Sequence, residues 1–419
     1  TKLTFNSHKS SKPVFTMAIA KQQQKEPTDV AVSVQKRVDL FEQHTQLDRP
    51  PMLKILQLDW NGVTVSKLLG KGTFCSVHQV SLHSRPETEY ALKCIDPSVY
   101  RRPKAFRKGA IDLALEARLL SRLHHPNIIQ IHGAVRGDIG ESITNPKRPY
   151  FIVLEYLTET LDDVMERWKK EESGGFRKFQ SATKYMERML PRIESTALGI
   201  ARGMEYLHSK GVLFRDLKPQ NIGFDRQGQV RIFDFGVARE LEQVKRTGDK
   251  LGFTGTPRYM ANEVGAREEY SLPADVYSFG IVLWQICTLR LPFQKMSSLD
   301  EYQESIVLGG ARPPLGPIKA PELANLMSQC WDANAHVRPT FTTVVKKLEA
   351  IAQAANASSS GKKSGLGFKS LSPMRSGRRK MVRRPSEKSN STLITADVST
   401  CSTEFTRPTI SPSEVSSNN

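Results

Sequence analysis

The stretch "LFRDLKPQN", residues 213–221, sets two cations, a carboxylate and two carboxamides, the last of them Asn221, within nine residues. A second stretch, "VRIFDFGVAR" at 230–239, follows it after the turn "DRQG". If the short runs on either side of that turn form a hairpin, Asn221 and Asp234 face one site. Two hard oxygen ligands from separate strands, with phosphate oxygens completing the shell, describe a magnesium site. Asp216, read as unpaired, could accept a proton from a hydroxyl, a task worth about 10²–10⁴ in rate. The competing reading of the same nine residues is an ordinary solvated turn. Phe214, an aromatic directly before Arg215 and Asp216, is the residue that fits neither reading at once.

Upstream, "LGKGTFCSV" at 69–77 places Gly70 and Gly72 between two strand-like runs. A Gly-x-Gly in that setting is a hairpin turn, or a loop whose backbone N–H groups approach phosphates because no Cβ intervenes. Lys93 lies in the apolar run "YALKCI", where a lysine can be a snorkelling edge residue. Glu116 changes that balance. On a helix it shares a stripe with Leu113, Ala117, Leu120 and Leu123, and a carboxylate on an apolar face must neutralise or find a cation. Lys93 is the natural partner, and a paired lysine also suits phosphate oxygens.

Around these residues the chain divides into two kinds of pattern. Between 58 and 95 the runs "GVTVSKLLG", "SVHQVSL" and "TEYALKCI" read as strands, and "NIIQIHGAV" and "YFIVLEYL" add two more after a helix, "KGAIDLALEARLLSRLH". A polar excursion at 136–149 separates those last two. Beyond 156 the pattern is mainly helical. "RIESTALGIARGMEYLHSKG" carries apolar residues at 193, 197, 200, 204 and 207 and stops at Gly211. "ADVYSFGIVLWQICTL" is apolar nearly all round, a helix buried inside a domain, and "TFTTVVKKLEAIAQAA" is a last amphipathic helix. The segment 167–190 reads as an insertion between helices. The expected fold is α+β in two lobes, a small strand-rich half joined to a larger helical half. The expected organisation is an N-terminal extension at 1–58, partly disordered, then a domain at 59–354 divided near 156, then a basic Ser-rich disordered tail at 355–419.

Composition narrows the classes. Of the +18 net charge, the last 65 residues hold +7 and residues 1–58 hold +4, so much of the basicity belongs to the ends. Such ends suit nucleic acid, acidic lipid or an acidic protein partner, or are solvated tails kept soluble by charge; the solvated tail is the favoured reading, and nucleic acid is not expected as a partner. The five cysteines are scattered without a CxxC pair, which argues against a disulfide framework or a zinc site and favours a reducing compartment, cytoplasmic or nuclear. No apolar run reaches membrane-spanning length. A start at Thr1 fits a processed chain or a fragment. The first acidic residue is Glu26, as in an organelle transit peptide, but the Arg-rich amphipathic pattern is missing.

Taken in order from Gly70 to Arg338, these motifs resemble the eukaryotic protein kinases: the Gly-rich loop, "YALK", the helix glutamate, "FRDLKPQN", "DFG", "GTPRYMANE", "DVYSFG" and "CWDANAHVRPTF". The resemblance implies a bilobal fold that uses ATP and Mg²⁺ to phosphorylate protein substrates. Leu69, Gly70, Lys71, Gly72, Val77 and Ala91 would surround the nucleotide, with Lys93, held by Glu116, on its phosphates. Adenine would meet the hinge at Glu155 and Leu157 behind Leu154. Asp216 would take the substrate hydroxyl's proton, Lys218 would stabilise the transferring phosphoryl group, and Asn221 and Asp234 would hold magnesium. Asp275 would brace the catalytic loop, and Arg338 would pair with Glu263. "DLKPQN" and "GTPRYM" are similar to serine/threonine kinases, while "DVYSFGIVLWQICT" is similar to the tyrosine-kinase-like branch. Dual specificity and a scaffold with weak phosphotransfer are the alternatives.

Three positions depart from the family pattern. Cys75 stands at the third glycine of the loop, Asn262 at the proline before Glu263, and Phe214 where a histidine is usual. A ring at 214 is expected to pack on Phe235, so the replacement preserves the apolar contact. Arg215 supplies a cation for a phosphorylated activation segment at 236–263, with Thr247 and Thr254 as candidate sites for an upstream kinase and Thr256 expected on Asp216 and Lys218. In the tail, "RRPS" at 383–386 and Ser-Pro pairs at Ser372 and Ser411 are candidate phosphosites.

Overall fold

The computed structural model describes residues 26–45, 47, 55–136, 150–172 and 181–360. Helix α1 spans Glu26–His44 and precedes six strands that form one sheet. These are β1 (Leu56–Leu58), β2 (Val63–Lys71), β3 (Cys75–Leu82), β4 (Arg85–Ile95), β5 (Ile131–Val135) and β6 (Phe151–Glu155), in the order β1-β5-β6-β4-β3-β2. β1 pairs with β5 in parallel and the other neighbours run antiparallel. The central strands carry the sheet's apolar payload: Tyr90, Leu92, Cys94, Phe151, Ile152 and Val153 are all buried.

Helix α2 (Pro103–Leu120) packs on this sheet along the predicted stripe, with Leu113, Ala117 and Leu120 inward. Gly109 lets it sit close: a Cβ there would lie 2.7 Å from Cβ of Phe74 on the Gly-rich loop. A larger residue would force the helix away from that loop.

The second lobe contains α3 (Leu161–Glu172), α4 (Ala182–Arg192), α5 (Leu198–Ser209), α6 (Leu241–Thr247), α7 (Pro273–Thr288), α8 (Pro321–Cys330) and α9 (Phe341–Ser360). α7 is the centre of this lobe. Every residue from Ala274 to Cys287 is buried, which is why its sequence lacks a polar face. A wide turn at Ile193–Ala197 joins α4 to α5, directly after Pro191, and residues 193, 197, 200, 204 and 207 are fully buried. Three short antiparallel pairings hold the interlobe side: β7 (Glu159–Thr160) on β9 (Ile222–Phe224), β9 on β10 (Val230–Ile232), and β8 (Val212–Leu213) on β11 (Arg239–Glu240).

Two sequence expectations need correction. Residues 167–172 and 182–190 belong to α3 and α4 rather than to an insertion. Arg192 reaches back from the end of α4 to Glu172 and lies 4.6 Å over the Trp168 ring, so the two helices form one packed unit. α9 also runs on to Ser360, beyond the expected start of the tail. The rest of the tail, its phosphosite motifs, the polar excursion after Arg136 and residues 1–25 lie outside the described residues. The N-terminal region holds more order than expected, since Val30, Val34, Val38 and Phe41 of α1 are buried. No helix among the described residues is long and apolar enough to cross a membrane.

Candidate active site

The cleft between the lobes is built from the ends of these elements. β2 and β3 form a hairpin whose tip is the Gly-rich loop, with Gly70 opposite Val77 and Lys71 opposite Ser76. A Cβ at Gly70 would meet no protein atom within 4 Å, and at Gly72 the nearest is a carbonyl at 3.6 Å. Neither glycine is demanded by the protein's own packing, and both residues are exposed. The Lys71 ammonium turns aside to Asp96, 3.1 Å away, leaving its backbone in the loop.

Lys93 sits on β4 directly opposite Val77 on one side and Ile152 on the other. Its ammonium lies 3.0 and 2.7 Å from the two carboxylate oxygens of Glu116 and 2.8 Å from Oδ1 of Asp234. The sequence reading paired Lys93 with Glu116 and missed the second carboxylate, because nothing in residue spacing brings 93 and 234 together. Burial works against the Lys93 charge, but Asp234 and Glu116 outweigh it and hold its pKa well above the usual lysine value. The same ammonium holds the Asp234 carboxyl below the usual range, against the effect of burial. Burial pushes the Glu116 carboxyl up, with Lys93 pulling the other way. Glu116 also accepts the backbone N–H of Phe235 at 3.2 Å. One carboxylate on α2 thus fixes both the lysine and the backbone after Asp234.

On the other wall, Asp216 is not unpaired as the sequence suggested. Its carboxylate accepts from Thr256 Oγ1 at 2.7 Å and Asn221 Nδ2 at 3.1 Å, and faces Lys218 Nζ at 2.8 Å. Lys218 also donates to Thr256 at 2.9 Å. The contact predicted for Thr256 is therefore present. Asn221 spends its amide on Asp216, donating to its backbone carbonyl at 2.8 Å as well, so its own carbonyl oxygen remains as a hard donor. β9 and β10 form the predicted hairpin, with Asn221 just before it and Asp234 just after.

Backbone strain marks both loops. Arg215 and Asp234 adopt φ of +74° and +66°, which disfavours non-glycine residues. Asp275, at the start of α7, pins the first of them: its fully buried carboxylate accepts the N–H groups of Phe214 and Arg215, each at 2.8 Å, and faces His208 at 3.0 Å. Arg338 forms a two-point pair with Glu263 at 2.6 and 2.9 Å. Asn262 fits beside that pair, donating to the Ala333 carbonyl at 3.3 Å and accepting from Arg312 and Arg338.

Phe214 packs edge-on against Phe235, ring centroids 5.1 Å apart at 72°, both rings buried. The ring supports the position of the residue after Asp234, and no group that faces the cleft depends on an imidazole there. Cys75 is half-buried, and burial pushes its thiol up to about 12, with Lys93 opposing only in part. It is a packing residue of the loop rather than a thiolate. Val77 is half-buried beside Lys93, while Ala91 and Leu154 are buried opposite each other on β4 and β6. Glu155 turns its carboxylate outward to Arg231 at 3.0 Å, and the chain passes through Leu157 into the second lobe.

Comparison with known proteins agrees with this geometry. Residues 63–348 match the model of the protein kinase domain. The chain is 36% identical over 235 residues to serine/threonine/tyrosine-protein kinase HT1 of Arabidopsis thaliana, covering 56% of this chain and 53% of that protein. It is 31% identical to serine/threonine-protein kinase STY46 of the same plant, over 68% of this chain and 42% of that protein. Dual specificity protein kinase shkC of Dictyostelium discoideum is 28% identical over 68% of this chain and 51% of its own length. The chain therefore spans about half the length of these relatives. With the two-lobed fold, the cleft and the match over residues 63–348 in agreement, this chain belongs to the protein kinase family.

Proposed function

We propose that this chain transfers the γ-phosphoryl group of ATP to serine and threonine hydroxyls of protein substrates. The observation that carries the proposal is the network in which Asp216, Lys218, Thr256 and Asn221 converge, across the cleft from Lys93 and its two carboxylates. The hydroxyl oxygen attacks the γ-phosphorus, the bond from that phosphorus to the β–γ bridging oxygen breaks, and the ADP oxygen leaves with the electron pair. Asp216 accepts the hydroxyl proton, and its bonds to Thr256 and Asn221 hold the carboxylate in one orientation for that task. Lys218, fixed between Asp216 and Thr256, supplies positive charge to the transferring group. Lys93 meets the nucleotide's phosphates, kept charged and aimed by Glu116 and Asp234.

A carboxylate at Asp234 and an amide carbonyl at Asn221 form a donor set that fits Mg²⁺, a hard cation completed by phosphate and water oxygens. Bound there, the ion would neutralise phosphate charge. Gly70 and Gly72 leave room for the phosphates to approach backbone N–H groups. The hinge backbone at Glu155 and Leu157 would receive the adenine, with Leu154, Ala91, Val77 and Leu69 as apolar walls.

The charge set argues against a scaffold role, because a fold kept for binding alone has no need of two largely buried ion pairs, Lys93–Glu116 and Lys218–Asp216, facing each other across an open cleft. Phosphorylation of Thr254 by an upstream kinase is the favoured activating event: both Thr254 and Thr247 donate to the carbonyl three residues back, at Leu251 and Val244, but the Thr254 hydroxyl also lies 3.5 Å from the Arg215 guanidinium. One relative's name includes tyrosine and another's reads dual specificity, which makes residue specificity the informative test. Full-length protein is incubated with Mg-ATP and matched peptides bearing Ser, Thr or Tyr at one position. Transfer to Ser and Thr, reduced about 10²–10⁴-fold in Asp216→Asn, is the expected result; exclusive transfer to Tyr, or none to any peptide, overturns the assignment.

A further inference from the structure

Helix α1 lies outside the two lobes yet is packed like part of the core. Val30, Val34, Val38 and Phe41, spaced by four, four and three residues, form one buried stripe. Leu47 extends the buried surface past the helix end. α1 is seated against α2 and against α6, the helix within the activation segment. These are the two elements that carry or adjoin the cleft's movable groups. α2 holds Glu116, and the activation segment, 236–263, begins just after Asp234 and Phe235.

Polar contacts tie α1 to both. On the α2 side, Glu42 accepts from Arg122 and lies 3.8 Å from Arg118, while the Arg122 guanidinium rests 5.2 Å over the Phe41 ring. On the segment side, Arg37 pairs with Asp249 at 2.6 Å, and Thr45 donates to the buried Glu240 at 2.7 Å. Between these contacts, Asp112 of α2 faces Arg239 of the segment at 3.5 Å. α1 is therefore a brace laid across a joint. If α2 rotated outward, Glu116 would leave Lys93, and the same motion would pull Arg122 from Glu42 and open the apolar seam under Phe41.

We propose that α1 is a positioning element for phosphotransfer, holding α2 and the activation segment together so that Glu116 stays on Lys93 and Asp234. This rests on the catalytic reading above, with Phe41, Glu42 and Arg37 acting through other residues and touching no substrate. A helix whose docking is coupled to the assembled cleft changes its population by a factor set by the differential contacts, commonly about 5- to 150-fold. The ATP-binding walls at Leu154 and Ala91 lie on the sheet and do not depend on α1.

The test uses the full chain with Val34→Asp, which places a charge at a site with no exposure. Arg37→Glu, which reverses an exposed pair, is the milder second variant. Hydrogen exchange is read separately for α2, for segment 236–263 and for α7, and kcat and KM are measured with Mg-ATP and a Ser/Thr peptide. The expected result for Val34→Asp is faster exchange in α2 and the segment with α7 still protected. kcat should fall by about tenfold or more with KM for ATP little changed, and added peptide 26–47 should restore part of it. Arg37→Glu should show the same pattern at smaller size. Uniformly faster exchange, including α7, assigns α1 a general stabilising role and overturns the proposal, as does unchanged exchange in α2. Asp216→Asn separates the two readings: it should lower kcat by about 10²–10⁴-fold while leaving exchange in α2 as in the wild type. If the wild type transfers no phosphate, the exchange pattern alone decides whether α1 positions α2.

Discussion

Replacing Phe214 by leucine asks whether the aromatic ring at this position matters as a ring. The side chain has no exposure and its neighbour Phe235 has 1%. Leucine keeps most of the apolar burial, so the specific loss is the edge-to-face contact at 5.1 Å and 72°. Such a pair contributes about 0.5–1.5 kcal/mol beyond area burial. With the space left by the smaller side chain, each of Phe214→Leu and Phe235→Leu should cost about 1–2 kcal/mol. The informative quantity is the coupling between them. The double variant should cost less than the two singles combined by about 0.5–1.5 kcal/mol, because the second loss no longer breaks the pair. Phe235 N–H bonds Glu116, and Phe235 follows Asp234 at its strained φ. The same energy should therefore reduce the population of the assembled cleft, lowering kcat by about 2- to 13-fold. Urea unfolding of the four proteins gives the coupling, and steady-state kinetics gives kcat. Additivity within about 0.3 kcal/mol would refute the claim that the ring contact holds Phe235.

Other consequences follow from the same contacts. Arg338→Met leaves Glu263 buried without its two-point partner and should destabilise the chain by about 3–5 kcal/mol; adding Glu263→Leu should recover most of this, and a loss under about 1 kcal/mol in urea unfolding would contradict it. Glu116→Gln removes a buried charge from Lys93 but keeps an acceptor for Phe235. It should lower kcat by about 10- to 150-fold, from the roughly 1.5–3 kcal/mol of a charged hydrogen bond, with KM for the peptide unchanged; an unaltered kcat counts against the pair. Cys75, with its thiol pushed up to about 12, is protonated at neutral pH. Its thiolate fraction should still rise about tenfold per pH unit between pH 7 and 10, so peptide-resolved alkylation should be slow and climbing; a half-maximal rate near pH 8.5, the ordinary thiol pKa, with levelling by about pH 9.5–10, would show that burial does not suppress the thiolate.

Much of the cleft was legible because its residues lie in short runs whose chemistry is local. Asp216, Lys218 and Asn221 share one loop, and the glutamate at 116 declared its need for a cation by sitting on an apolar stripe. α7, apolar nearly all round, announced its own burial in the same way. What was not legible depends on distant contacts. The bond from Asp234 to Lys93 spans 141 positions, and no local pattern points to it; the contact of Thr256 with Asp216, forty residues apart, was expected only through the family resemblance. α1 shows a different limit. Its stripe at 30, 34, 38 and 41 has helical spacing, but lysine, arginine, glutamine and aspartate interleave with it, so its burial depends on a docking surface the local sequence does not reveal. The same holds for α3 and α4, whose charged residues resemble a loop until Arg192 is seen to bridge them.

The central claim is that Asp216 accepts a proton from a substrate hydroxyl within an intact cleft. Initial rates of phosphate transfer from Mg-ATP to a serine peptide, for the wild-type chain and Asp216→Asn, test it directly. The account predicts transfer by the wild type and a fall of about 10²–10⁴-fold in kcat for the variant, with ATP affinity retained. A variant that transfers phosphate at the wild-type rate would contradict it.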